Sequence, residues 1–327
     1  MKTLIRLAML IFIAPSWTFS QVDITPKDLH FPGSFGQKKF RKAPRKVYLN
    51  HFQVHFQLAA YEATHDQQFL GAQSKAEIGV GLSGLQAHHL QETTDQLYQD
   101  FVQQLAAAEF DLISAEEAGQ AELFSNWTLR QGGELREERV YGFALATPSD
   151  FAYYVKKASD KGDKKGSRLG ELPRLARLSK QLDDAIVIDV SLVVNFVEFQ
   201  GGKSKLISRA KLKATPQLHI SPIGTGVGMW KNFRPLESRI YFVSGNPAGW
   251  SPECVLKVAP KKALYTPNAL TGEIMEVAAT GMPGWTMTRS ATWTLPVDST
   301  AYQQHSKDLL KAFTQATLNL FIPYTQK

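Results

Sequence analysis

The segment Ala185–Phe199 constrains the fold more than any other part of the chain. Its sequence, AIVIDVSLVVNFVEF, is rich in β-branched residues, and its first half is apolar at consecutive positions. A strand that is apolar on both faces is buried from both sides, as central strands of α/β sheets are. We therefore predict that Ala185–Phe199 lies at the centre of a sheet and is covered on both faces.

The residues that follow this strand predict a long hairpin. Gly201 and Gly202 are typical of a turn. In Leu206–Ile220 most even positions are apolar, and most odd positions, which include Lys211 and His219, are polar. This alternation predicts an antiparallel partner strand with one solvated face.

Apolar residues at helical spacing predict three amphipathic helices. They cover His88–Phe110, Glu171–Leu182 and Thr300–Phe321. Ser114, with Glu117 three residues later, forms a capping-box pattern. It predicts a further helix over Ala115–Phe124.

Alternation at period two predicts a half-buried strand over Lys46–Leu58, with a phase slip near Asn50 and His51 that is typical of a β-bulge. Shorter strands are predicted at Phe110–Ile113, Val140–Ala146, Arg239–Val243 and Ala291–Leu295.

Helices alternate with strands, yet the hairpin requires antiparallel pairing. The predicted fold class is therefore α/β (mixed α+β), a layered sandwich of a mixed sheet with a long antiparallel hairpin and flanking amphipathic helices. We divide the chain into residues 1–20, a signal peptide; 21–45, an extended basic arm; 46–220, the α/β domain; 221–288, a Gly/Pro/Trp-rich insertion; and 289–327, the closing strand and C-terminal helix of the same domain.

The N-terminus has the pattern of a secretory signal. Lys2 and Arg6 precede the apolar run Leu7–Ala14, and Thr18 and Ser20 have the spacing of a signal-peptidase site. The run is shorter than the roughly 20 apolar residues that span a membrane. We expect an exported protein, periplasmic or extracellular. No cysteine follows the predicted cleavage point, so we do not expect lipidation there.

The formal net charge of +7 is concentrated in two blocks, residues 38–46 and 156–180. Clustered cations on an exported protein suit an anionic membrane surface or an acidic partner, although solvated linkers have the same composition. The candidate contact residues in the second block are Lys161, Lys164, Lys165 and Arg168. We do not expect a nucleic-acid partner, since the sequence has no recognition motif for one.

Tryptophans in the Gly/Pro-rich region form a second candidate surface. Trp230, Trp250 and Trp285 lie on predicted loops, and Trp293 follows closely. Aromatic side chains on such loops often bind a partner, and they equally often pack a loop onto its domain.

No residue pattern predicts catalysis, a metal site or a cofactor. His51 and His55 are four residues apart, which on a strand is about 13 Å, too far for one metal ion, so we expect surface positions. Asp189 interrupts the apolar strand and predicts a buried acid paired with Arg or Lys for structural reasons. The only cysteine, Cys254, is expected to be buried rather than reactive.

Two segments carry a resemblance to a known superfamily. Leu97–Ala118 (LYQDFVQQLAAAEFDLISAEEA) predicts a long helix, a short strand and an acidic helix, and Leu172–Val194 (LPRLARLSKQLDDAIVIDVSLVV) predicts a helix that leads into the central strand. Together they resemble the envelope α/β domain of the curli-secretion channel lipoprotein, of the activator lipoproteins of penicillin-binding proteins and of the Tol-system propeller protein.

The resemblance covers about residues 46–220 and implies a non-catalytic scaffold or regulator. The chain departs from the pattern in two respects. It lacks the lipidated cysteine, and Asp189 or Ser191 stands where a glycine is usual near the start of the central strand.

The preferred hypothesis is an exported, non-catalytic envelope protein that acts as a scaffold, assembly or regulatory factor through contacts with an envelope protein or an anionic membrane surface. One alternative is a secreted hydrolase or ligand-binding protein with its site in the 221–288 loops. Another is a subunit of an oligomeric export assembly. The sequence leaves the oligomeric state open.

Overall fold

The computed structural model describes residues 22–67, 73–137, 142–156, 171–203, 209–222, 236–245, 252–266, 270, 272–280 and 286–326. The predicted mixed α/β class is confirmed, since helices flank sheets that contain both parallel and antiparallel pairs. The predicted signal segment lies outside the described residues.

The described strands are β1 (Leu29–His30), β2 (Lys46–Gln57), β3 (Ala59–Gln67), β4 (Gln73–Ser83), β5 (Asp111–Leu112), β6 (Thr128–Gln131), β7 (Arg136–Glu137), β8 (Phe143–Ala146), β9 (Ala152–Val155), β10 (Ile186–Lys203), β11 (Arg209–Ile220), β12 (Arg239–Gly245), β13 (Pro252–Pro260), β14 (Leu264–Tyr265), β15 (Met275–Thr280) and β16 (Thr286–Pro296). The described α-helices are α1 (Ala87–Ala107), α2 (Ala115–Ala118), α3 (Glu171–Gln181) and α4 (Ser299–Thr325).

The large sheet is built around β10, as its apolar sequence predicts. The strand order is β1-β13-β12-β10-β2-β8-β7, and β11, β14, β15 and β5 pair outside this path. The first half of β10 is parallel to β2 and antiparallel to β12, and its second half forms the predicted hairpin with β11. Every residue from Ile186 to Val197 is buried.

Helices cover the large sheet on both faces. The apolar stripes of α1 and α4 pack on one face, where the rings of Phe242 and Phe321 stack with centroids 3.9 Å apart. On the opposite face α3 buries Leu175 and Leu178 against Val187 of β10. The fold is therefore a three-layer sandwich in this region.

A smaller sheet, in the order β16-β4-β3, packs its apolar side over β11 and β15. In β4 buried residues alternate with partly exposed ones, and β16 runs parallel to β4 along its whole length. The sequence patterns do not predict β3 or β4, and they predict only the second half of β16. Small and charged residues give β3 and β4 a weak strand signal.

Three sequence predictions about segments are wrong. The region 221–288 is not an insertion, because β12, β13 and β15 from it extend the large sheet. Gly201 and Gly202 do not form the turn; they continue β10 opposite Leu212 and Lys211. The predicted helix Ala115–Phe124 ends after a single turn at Ala118, with a separate 3-10 turn at Glu122–Phe124.

The described part of the arm, from residue 22 to residue 45, is docked rather than freely extended. It contains two 3-10 segments, and β1 pairs with β13. Phe40 is fully buried, and its ring packs edge-on against Phe321 of α4 at 5.5 Å. The arm therefore belongs to the hydrophobic core.

Candidate functional site

A buried charge cluster lies at the centre of the large sheet. Pairing between β2 and β10 is regular up to Leu49 and Ile188 and resumes with His51 opposite Asp189. Asn50 is thus the extra residue of a bulge, which confirms the predicted phase slip. The bulge brings two successive polar residues beside one carboxylate.

Asp189 is the central acid of this cluster. Its Oδ2 accepts a hydrogen bond from Nδ2 of Asn50 at 3.0 Å and lies 3.0 Å from Nδ1 of His51. The Arg239 guanidinium on β12 is 4.0 Å from the other carboxylate oxygen. Asp189 is only 4% exposed, so the prediction of a buried acid paired with an arginine is confirmed. The prediction did not identify His51.

Arg239 connects the cluster to the helical layer. Its guanidinium donates to Oε1 of Glu171, at the start of α3, at 2.6 Å. The same group lies over the ring of Tyr241 at 4.8 Å. A chain of charged contacts therefore runs from Glu171 of α3 through Arg239 of β12 and Asp189 of β10 to His51 of β2.

The electrostatic balance keeps Asp189 ionised. Burial alone would raise the pKa of Asp189, but the hydrogen bond and charge of His51, the charge of Arg239 and the hydrogen bond from Asn50 together hold it well below its usual range. The pKa of Arg239 is raised, because Glu171 and Asp189 outweigh its burial. The charged groups of the cluster are paired with one another, as is typical of a structural role.

The predicted surface positions of His51 and His55 are wrong. Both residues are 3% exposed. The ring of Tyr153 on β9 packs against His51 with centroids 5.9 Å apart. The polar face of β2 is thus covered, although its alternating sequence predicts solvent on that face.

Among the long strands that the structure describes, β16 is the most exposed. Nearly all of its residues are exposed, and Met287 and Trp293 each expose 42% of their surface. These two residues are separated by an even number of positions, so they share one face of the strand. Within the described part of the chain, β16 pairs with β4 alone. We call the side of β16 that faces away from β4 the open edge.

Glu77 fixes β16 to its sheet. Hydrogen bonds from Lys75, Ser290 and Tyr61 lower the pKa of Glu77 to about 2. Ser290 lies on β16 and donates to Oε2 of Glu77 at 2.6 Å, Lys75 lies on β4, and Tyr61 lies on β3. One carboxylate thus joins all three strands, which holds the open edge in a defined position.

Cys254 is buried, as predicted. It is 1% exposed, and burial raises its pKa to about 12. A thiol with such a pKa has little thiolate at neutral pH, so Cys254 is a poor nucleophile.

The candidate binding residues named from the sequence all belong to segments that the structure does not describe. Lys161, Lys164, Lys165 and Arg168, together with Trp230, Trp250 and Trp285, lie outside the described residues. In the first basic block, Lys38, Lys39, Arg41, Lys42 and Lys46 are exposed.

Two features bear on membrane and metal chemistry. Among the helices that the structure describes, none combines the length and apolar character needed to cross a membrane. The described residues contain no group of three or more His, Cys, Asp and Glu side chains arranged to hold a metal ion.

Comparisons of the chain with protein-family models, with curated proteins and with solved structures gave no significant match.

Proposed function

We propose that this chain is an exported, non-catalytic protein of the cell envelope that acts as a scaffold, and that its partner is a protein that adds an extended strand along β16. The observation that carries this proposal is the open edge. An exposed edge strand presents unpaired backbone N–H and C=O groups, and addition of a strand to such an edge is a recurrent mode of protein recognition.

The side chains of β16 favour a strand partner. The sequence TMTRSATWTLP contains one charged residue, Arg289, and is rich in threonine. Many proteins protect an edge strand with lysines, prolines or bulges, and here ten consecutive residues precede the only proline, Pro296. The exposed Met287 and Trp293 would supply the apolar contacts that strengthen such pairing.

Export and the envelope location rest on the N-terminal signal pattern and on the resemblance to envelope scaffold domains. The buried charge cluster agrees with a non-catalytic role, because its acids and bases are paired with one another deep in the sheet. Cys254, with its raised pKa, agrees as well.

The proposal is tested by the size of the complex that the chain forms in its host envelope. Trp293→Lys and Met287→Lys put a cation beside the open edge, where charge blocks strand addition. On native gels of gently solubilised envelopes, the unaltered chain is expected in a large complex and the two variants as the free chain. The matched control is Gln103→Lys, at an exposed position of α1.

A complex that keeps its size in both edge variants would overturn the proposal. A complex that dissociates equally in Gln103→Lys would do the same, because the effect would then follow from added charge alone.

A further inference from the structure

A cavity of about 370 Å³ lies where β3 of the small sheet approaches β10 and β11 of the large one. This volume is at the lower end of the range of small-molecule sites. Four strands each place one titratable side chain in its wall: Glu62 on β3, Glu198 on β10, His219 on β11 and Tyr265 on β14. None of the described residues that line the cavity is a lysine or an arginine.

Tyr265 and Glu198 are held together. The Tyr265 hydroxyl donates to Oε2 of Glu198 at 3.2 Å, and desolvation, with the neighbouring Glu198, raises the pKa of Tyr265. A carboxylate offers about four lone-pair positions, so Glu198 keeps acceptor capacity after this bond is made. The bond orients the carboxylate on the cavity wall.

His219 supplies a buried acceptor. It is 3% exposed, and its Nδ1 lies 2.9 Å from the Gln217 carbonyl oxygen. Because a carbonyl only accepts, Nδ1 carries the proton, and in the neutral ring Nε2 carries the lone pair. Burial lowers the pKa of His219, which keeps the ring neutral at neutral pH. Among the described residues, Nε2 has no hydrogen-bond partner.

We propose that this cavity binds a compact organic cation through its primary ammonium group, as in an alkylamine or a lysine side chain. An ammonium group has three N–H donors and no acceptor. The residues that line the cavity carry the complementary set, namely the carboxylates of Glu62 and Glu198 and the lone pair of His219 Nε2. The Tyr265 ring, which contacts the His219 ring at 5.4 Å, adds an aromatic face suited to a cation.

Other ligand classes fit the cavity less well. An anion would face two carboxylates without a lining cation among the described residues. A neutral apolar molecule would leave the buried His219 ring without a donor at Nε2, and unpaired buried polar groups are costly. The inference goes beyond the proposed scaffold function, and it uses no residue of β16.

Glu62 and His219 give the binding of an amine a pH dependence. Desolvation raises the pKa of Glu62, so this residue loses its charge at a higher pH than an ordinary glutamate. At lower pH His219 gains a proton and then repels a cation. Tyr265 stays neutral because its pKa is raised, and its hydroxyl donates to Glu198. Binding of an amine is therefore expected to weaken as the pH falls below neutrality.

The test uses butylammonium as the probe and butanol as its neutral counterpart of similar size, followed by NMR shifts of the mature chain. Saturable shifts are expected with butylammonium at residues that line the cavity, and none with butanol. Glu198→Gln should weaken binding about tenfold or more, since it removes a charged hydrogen-bond acceptor. Glu276→Gln is the matched control, because Glu276 lies on β15 outside the cavity, 2.7 Å from Lys211.

Glu62→Gln, at an exposed position, is a second variant that weakens binding without disturbing the core. Equal affinity in the unaltered chain and in Glu62→Gln and Glu198→Gln would overturn the proposal. Equal binding of butanol, or equal losses in Glu276→Gln, would overturn it too. None of these results would change the behaviour of the β16 variants.

Discussion

His51 and Asp189 are 138 residues apart in the sequence, and their side chains meet in the centre of the sheet with Nδ1 and Oδ2 3.0 Å apart. The contact depends on the bulge at Asn50, which sets the register of β2 against β10. Arg239 and Glu171 extend it to α3. The cluster therefore holds β2, β10 and β12 in register and ties α3 to the sheet that it covers.

Asp189→Asn should destabilise the chain by about 3 kcal/mol, because it leaves Arg239 and His51 buried without their shared carboxylate. Urea unfolding followed by circular dichroism measures the effect. Asp184→Asn is the matched control, since Asp184 forms a half-exposed ion pair with Lys180 and such pairs contribute about 0–1 kcal/mol. Equal effects in the two variants would show that the buried cluster does not contribute more than a surface pair.

The stability that Asp189 contributes should depend on pH. Its folded pKa lies below its ordinary value of 3.8, so the unfolded chain binds the proton more readily. The contribution is full above 3.8 and is lost as the pH falls toward the folded pKa. The difference in urea midpoint between the unaltered chain and Asp189→Asn should therefore shrink as the pH is lowered through 3.8. A difference that grows in acid would contradict the assigned sign.

The docked arm gives a prediction about packing. Phe40→Ala should cost about 3–5 kcal/mol, because the side chain is fully buried against Phe321. Phe35→Ala, in the same arm, should cost only about 1 kcal/mol, because Phe35 is 46% exposed. The free energies of unfolding measure both effects. If both substitutions lowered the free energy of unfolding by similarly small amounts, the arm would not be part of the core.

The sequence predicts those elements whose periodicity is strong and local. The central strand, α1, α3 and α4 lie close to their predicted bounds, because apolar spacing reports directly on burial. In the hairpin of β3 and β4, alanine and polar residues dominate β3, and glycines and charged residues alternate with Ile78 and Val80 in β4, so the strand signal is weak. β13 and β15 lie in a region rich in glycine and proline, and local patterns do not predict them as strands. Their positions follow only from pairing, since β13 pairs with β12 and β15 pairs with β11.

The candidate sites could be predicted only in part. A buried acid at Asp189 follows from the apolar residues on both sides of it, but its partner His51 follows only from register, which local patterns do not give. The alternation in β2 predicts that one of its two faces is solvated. That face is covered instead, because Tyr153 of β9 packs against it. The cavity gathers residues from four strands, and no local pattern brings them together. The basic and tryptophan surfaces at Lys161–Arg168, Trp230, Trp250 and Trp285 stay predictions.

Site-specific photo-cross-linking in the native host tests the central claim most directly. A photoreactive amino acid at Thr292, exposed on β16, and the same group at Gln99, exposed on α1, report on two different surfaces. The proposed function predicts a discrete protein adduct from position 292 that disappears when Trp293→Lys is added, and no such adduct from position 99. No adduct from position 292, or the same adduct from both positions, would contradict the assignment of β16 as the binding edge.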